Sequence, residues 1–290
     1  KPAFSLVYFG DFYRIDIWFY GDMIRDITLG QYYSVASPIH RRDPRVKILA
    51  TAMYIAVLFI VENFLGFLMA AVALGVAVAV SKVPISFIMR GLKPILFILI
   101  FTFSLNIFMI NGRVLWKFGF LEVTDNGLYT AAFMSVRLIL LIIGTSLLTF
   151  TTTPIKLTDG IERLLYPLSK VGVPTYEIAM MMSIALRFIP TLMEETDKII
   201  KAQQARGADF ESGNLIARAK SLVPILVPLF VSAFRIALDL AMAMEARCYS
   251  GGKGRTRMNG MKINSMDLLF MGINILFLGV IIAFRIWRKS

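Results

Sequence analysis

Residues 46–61, 64–80, 92–111, 128–150 and 268–287 form five apolar stretches, each near the roughly 20 residues a helix needs to cross hydrocarbon. Segments this long and this poor in charge belong where water is absent, and there a helix satisfies its own backbone. Composition agrees, with 57% hydrophobic and 17% charged residues, against about 25% charged in an average soluble domain. The chain is expected to be an all-α membrane protein of about five transmembrane helices. Only Glu62 and Asn63 separate the first two stretches, which predicts a tight helical hairpin.

A net charge of +12 would suit a nucleic-acid partner, but here the cations flank apolar runs, as in proteins oriented by positive charge. With the N-terminus cytoplasmic, the short inner segments 40–47 and 82–93 hold seven Lys and Arg and the outer segments 112–127 and 285–290 hold five. The long segment 152–266 adds 15 to the inner side, although long loops obey this rule weakly. A cell-membrane location with the N-terminus and the 152–266 region in the cytoplasm is therefore expected. Arg137 lies inside the fourth stretch, where a central arginine costs at least ~2.5 kcal/mol on insertion scales. It reads either as a contact to another subunit or polar cavity, or as a side chain snorkelling to the outer headgroups.

Cys248 is the single cysteine and His40 the single histidine, which excludes an internal disulfide and most zinc or histidine-based schemes. No metal or cofactor site is expected in the chain. There is no Gly-x-Ser-x-Gly, His-Glu-x-x-His or Walker A pattern, so no enzyme is indicated. His40, with no second histidine, reads as a surface or interfacial residue.

Four regions follow. Residues 1–45 are an N-terminal extension and a basic segment; within them 1–22 are aromatic-rich, lack a secretory leader pattern and read as an extension ahead of Met23. Asp43 and Pro44 predict a helix N-cap and first position, and Arg41, Arg42, Arg45 and Lys47 read as a cluster facing lipid headgroups. Residues 46–153 hold four transmembrane helices and 263–290 the last. Between them, 154–262 read as a cytoplasmic-side domain of three helices, two of them long.

The first of these, 154–171, is amphipathic, with Ile155, Leu157, Ile161, Leu164, Leu165 and Leu168 on one side. Gly172 ends it and Pro174 opens a helix over 175–206, apolar at first and charged beyond Pro190. A second long helix is expected over 215–247, kinked at Pro224 and Pro228, with Arg235 and Asp239 spaced to pair. Their charges argue against two further ordinary membrane spans.

Each long helix closes on the same signature. Ala202-Gln203-Gln204-Ala205-Arg206-Gly207 and Ala243-Met244-Glu245-Ala246-Arg247-Cys248 share Ala-x-x-Ala-Arg plus a small residue, 41 positions apart. Such arginines either neutralise their own helix C-termini, worth ~0.3–1 kcal/mol, or offer planar donor forks to a partner's groove.

These paired motifs, with Ile39-His40-Arg41-Arg42-Asp43-Pro44-Arg45-Val46-Lys47 before the first span, resemble the T component of energy-coupling factor (ECF) transporters from about Ile24 to the C-terminus. The resemblance implies a non-catalytic subunit of an ABC-type importer, with ATP and Mg used by two cytoplasmic ATPase subunits. Ala205, Arg206, Gly207, Ala246, Arg247 and Cys248 would then be the ATPase-coupling residues. A membrane-embedded substrate-binding S component, for a vitamin or other micronutrient, would sit on the apolar faces of the long helices, where Met180, Met181, Met182, Met242 and Met244 offer an adaptable surface or simply pack. Cys248 departs from the glycine commoner in the second motif. The alternative is an autonomous secondary transporter or a permease of another ABC class, yet five spans plus a large insertion do not divide into repeated halves.

Overall fold

The computed structural model describes residues 32–110, 112–118, 121–208, 210, 220–251 and 264–289; the expectations for residues 1–22 and Met23 lie outside them. Nine α-helices are described: α1 Pro44–Ile60, α2 Phe64–Ser81, α3 Ile85–Leu92, α4 Leu96–Met109, α5 Asp125–Thr151, α6 Pro154–Leu165, α7 Thr175–Ala205, α8 Val223–Ala246 and α9 Ser265–Lys289. One departure from helix is an antiparallel hairpin of β1 Val114–Phe118 and β2 Leu121–Thr124, with Val114 opposite Thr124. The chain forms two compact units, one within Gly30–Val173 and Arg257–Ser290, the other within Pro174–Thr256. The boundary thus falls at Pro174, and α6 groups with the membrane helices.

Five helices are long and apolar enough to cross a membrane by length and composition: α2, α5, α7, α8 and α9. The number matches the expectation and the membership does not. Residues 46–61 yield the 17-residue α1, about 26 Å long. Within 92–111 the 3-10 turn Lys93–Ile95 interrupts the run, leaving the 14-residue α4. The two long helices expected outside the membrane take their places in that set, because exposed apolar side chains raise hydropathy whatever they face.

In the first unit, α1 starts as the sequence predicts. The Asp43 carboxylate accepts from the Arg45 N–H at 2.9 Å, and Pro44 follows the cap. The core joins four helices: Val57 and Leu58 of α1, Phe67, Ala70 and Leu74 of α2, Leu140 of α5 and Ile281 of α9. Gly144 lets α5 approach α1, since a Cβ there would lie 2.5 Å from the Tyr54 ring. Around this core the surface is apolar: Phe97, Met109, Leu276 and Trp287 are all exposed, as side chains facing lipid should be.

Arg137 is held inside the unit. Its guanidinium donates to the Val61 carbonyl at 3.1 Å, where α1 ends, and lies 5.0–5.7 Å from the ring centroids of Phe59, Phe67 and Phe133. It therefore pins the α1–α2 turn from α5, and neither of its two expected readings is needed.

The basic segment is also built inward. Lys47 is buried, donating to the Thr151 carbonyl at 2.8 Å, the His40 carbonyl at 3.3 Å and the Thr152 hydroxyl at 3.3 Å. Lys47 is thus no headgroup cation. His40 is buried rather than at the surface. Its Nε2 bonds the Tyr33 carbonyl at 3.0 Å and so carries the proton, leaving Nδ1 to accept from the Ser37 hydroxyl at 2.6 Å. Burial, ahead of the Lys47 charge, pushes its pKa below the ordinary value. Asp267, at the start of α9, completes the cluster by accepting from the Asp43 N–H at 3.4 Å and facing Arg42 at 3.6 Å.

At the opposite end, Thr124 caps α5 by accepting from the Gly127 N–H at 3.1 Å and donates to the Ile110 carbonyl at 2.6 Å. An ion pair between Glu62 and Arg285 ties the α1–α2 turn to the last turns of α9. The amphipathic α6 lies on α1: a Cβ on Gly160 would come within 3.1 Å of Pro44 and Ile48.

Candidate functional site

Among the described residues, the helices of the second unit are α7 and α8, and its chemistry is at their ends. α7 runs for 31 residues through Pro190 without a break. α8 begins at Val223 with Pro224 in its first turn, so Pro224 opens the helix and does not kink it; only Pro228 is interior.

Both helices stop by the same device. After α7, the Gly207 N–H donates to the Gln204 carbonyl at 2.9 Å and the Ala208 N–H to the Gln203 carbonyl at 3.0 Å. After α8, the Cys248 N–H donates to the Glu245 carbonyl at 2.8 Å and the Tyr249 N–H to the Met244 carbonyl at 3.0 Å. This is the Schellman arrangement, in which the residue after the C-cap turns left-handed to satisfy carbonyls that the helix leaves free. Gly207 has φ +86° and Cys248 φ +55°. Cys248 thus takes the glycine's conformation despite its Cβ. The signature Ala-Arg-small is therefore a capping sequence, with the arginine as the last residue on each rod.

Ala205, Arg206, Gly207, Ala246, Arg247 and Cys248 are all exposed. Neither guanidinium has a hydrogen-bond or ion-pair partner among the described residues. α7 and α8 run antiparallel where they meet: Gln203 Nε2 donates to the Pro224 carbonyl at 3.2 Å and the Ser232 hydroxyl to Glu195 Oε1 at 3.5 Å. The end of α7 consequently lies beside the start of α8. Arg247 is a full 24-residue helix away from that start, about 36 Å, so the two tips point to separate places.

Of the methionines singled out by sequence, Met181, Met182 and Met242 are exposed, while Met180 and Met244 are half-buried. Their larger setting escaped the sequence reading. Leu222, Leu226, Phe230, Phe234, Leu238 and Met242 recur every four residues and form one exposed apolar ridge on the α8 side, Phe234 being 68% exposed. The i, i+4 spacing was the available signal. Arg235 and Asp239 are exposed and form no ion pair among the described residues. No group of three or more His, Cys, Asp or Glu able to hold a metal occurs among the described residues.

Residues 35–258 match the family described as cobalt transport protein (CbiQ). Over 91% of its length the chain is 56% identical to the energy-coupling factor transporter transmembrane protein EcfT of Thermosediminibacter oceani, covering all of that protein. It is 58% identical to the protein of the same name from Clostridium kluyveri, over 91% of this chain and 99% of that one. With the Bacillus subtilis protein it shares 51% identity over 81% of this chain and 89% of that one. Matches of this extent carry both capped tips and the membrane helices together: the chain belongs to the family of ECF transporter transmembrane components, multi-pass membrane proteins that are not themselves enzymes.

Proposed function

We propose that this chain couples two cytoplasmic ATPase subunits to a membrane-embedded S component, for uptake of a vitamin or other micronutrient. The observation that carries this reading is the pair of exposed arginines, without a side-chain partner among the described residues, on identically capped tips at opposite ends of an antiparallel helix pair. One groove cannot receive both, so each tip engages its own ATPase, which holds the ATP and Mg. A stiff helix transmits displacement where a flexible linker would dissipate it. The α8 ridge, with Met181 and Met182 on α7, supplies an apolar surface to an S component that is itself in the membrane.

Arg206→Glu and Arg247→Glu are each expected to abolish uptake in cells and to reduce ATPase copurification at least tenfold, since an unpaired charge in a partner's groove costs ~2–5 kcal/mol. Uptake retained by the double variant would leave the tips as ordinary charged ends.

Sidedness gives an independent test. If α7 and α8 stood upright across the bilayer, their tips would lie on opposite faces. Cys248 is exposed and is the natural single thiol, so a membrane-impermeant maleimide should label it only from the cytoplasmic side. A thiol placed by Ala205→Cys in a Cys248→Ser background should label from that same side. Labelling from opposite sides would end the coupling reading.

A further inference from the structure

The polar end of the first unit opens onto a half-enclosed cavity of about 490 Å³ between α1, α2, α5 and α9. Its wall is apolar, formed by Leu74 and Ala77 of α2, Leu148 of α5, and Ile273 and Phe277 of α9. Arg42 and Lys47 lie at one end. Every contributing helix enters with the half nearest that end: α9 from Met266 to Phe277, α2 from Ala73 to Val80. These twelve residues of α9 span roughly 16 Å from first to last, and half of a ~30 Å hydrocarbon core is one leaflet.

The charge around the mouth is one-sided. Arg42 and Lys47 line it, with Arg41 and Arg45 nearby in sequence, and the acidic residues of the cluster are Asp267, facing Arg42, and Asp43, facing Arg45. Lys47 is consumed by three internal hydrogen bonds and Arg45 pairs with Asp43 at 3.3 Å. Arg42 is held less closely, by the Pro38 carbonyl at 3.1 Å and Asp267 at 3.6 Å, and Arg41 is exposed.

From this we infer that the cavity is a binding site for one anionic glycerophospholipid of a single leaflet, one of its acyl chains between α2 and α9 and its phosphate on Arg42. A one-leaflet depth, apolar walls and a cationic mouth match the two halves of such a molecule. The occupant becomes part of the packing between the first and last membrane helices, distinct from the annular lipid that wets exposed side chains such as Phe97.

The test uses the full-length chain in nanodiscs of phosphatidylglycerol and phosphatidylcholine mixed equally, with retained lipid counted by native mass spectrometry. One phosphatidylglycerol is expected to stay bound, preferred roughly fivefold, the factor one basic side chain carries at an anionic surface. Arg42→Gln should bring the preference near parity while one lipid remains. Ala77→Phe should remove the retained lipid of either kind, and Leu68→Phe, exposed on the same helix two turns before the lining residue Val76, should not. Should Ala77→Phe fail to fold, Ile273→Trp fills the same space from α9. Equal retention by the wild type and the filled variants, or a preference indifferent to Arg42→Gln, would overturn the site. Displacement of the lipid by inorganic phosphate alone would overturn the acyl-chain half.

Discussion

Arg137 of the first unit and the two tip arginines of the second meet opposite fates. Arg137 is held against three aromatic rings and a carbonyl. Arg206 and Arg247 stand exposed at helix ends whose carbonyls the backbone already satisfies. The same side chain thus serves as internal mortar in one region and stands open at the surface in the other. A protein can leave such groups open only where water or a partner completes them, so the proposed coupling role falls to the second unit, while the first shows where the chain stabilises itself.

Stability measurements should separate the two most sharply at Lys47. Lys47→Met strands three buried oxygens from two parts of the chain and is expected to lower stability by about 2–4 kcal/mol, seen as a lower melting temperature in detergent. Arg206→Met should stay within about 0.5 kcal/mol of the wild type; an equal loss from both would erase the distinction.

Next comes Cys248, which compares the tips with each other. Cys248→Gly relieves a left-handed residue and is expected to raise stability by roughly 0.5–1 kcal/mol without reducing uptake. Gly207→Ala should lower it by a similar amount.

The smallest effect is acid sensitivity in the first unit. Because burial lowers the His40 pKa, the unfolded chain binds the proton more readily. Its contribution to stability is complete above the ordinary value of 6.5 and is lost as pH falls below that toward the folded value. His40→Gln should flatten that part of the melting-temperature profile against pH.

Sequence alone made the punctuation legible. Asp43-Pro44 and Pro174 mark helix starts through dihedral preference and capping, which are local properties, whereas the helix expected over 154–171 gives way after Leu165 to a 3-10 stretch, Tyr166–Val171, which Gly172 closes. The span 175–206 was readable to within one residue. What escaped depends on contacts between distant segments. Lys47 looked like a surface cation until Thr151 and His40 enclosed it, and nothing near Arg137 announced Phe59 and Phe67. Hydropathy also treats an apolar ridge and a bilayer span alike, which is why α7 and α8 join the candidate spans while the shorter α1 does not. At the candidate site the six capping residues were visible as a repeat, but their shared left-handed turn was not, because cysteine rarely adopts one.

The contact between α7 and α8 has a mechanical corollary. The bonds from Gln203 to Pro224 and from Ser232 to Glu195 centre it near residues 199 and 228. From that fulcrum Arg206 is about 10 Å away and Arg247 about 28 Å. The two levers are unequal, and any given rotation at the crossing sweeps one tip through nearly three times the arc of the other.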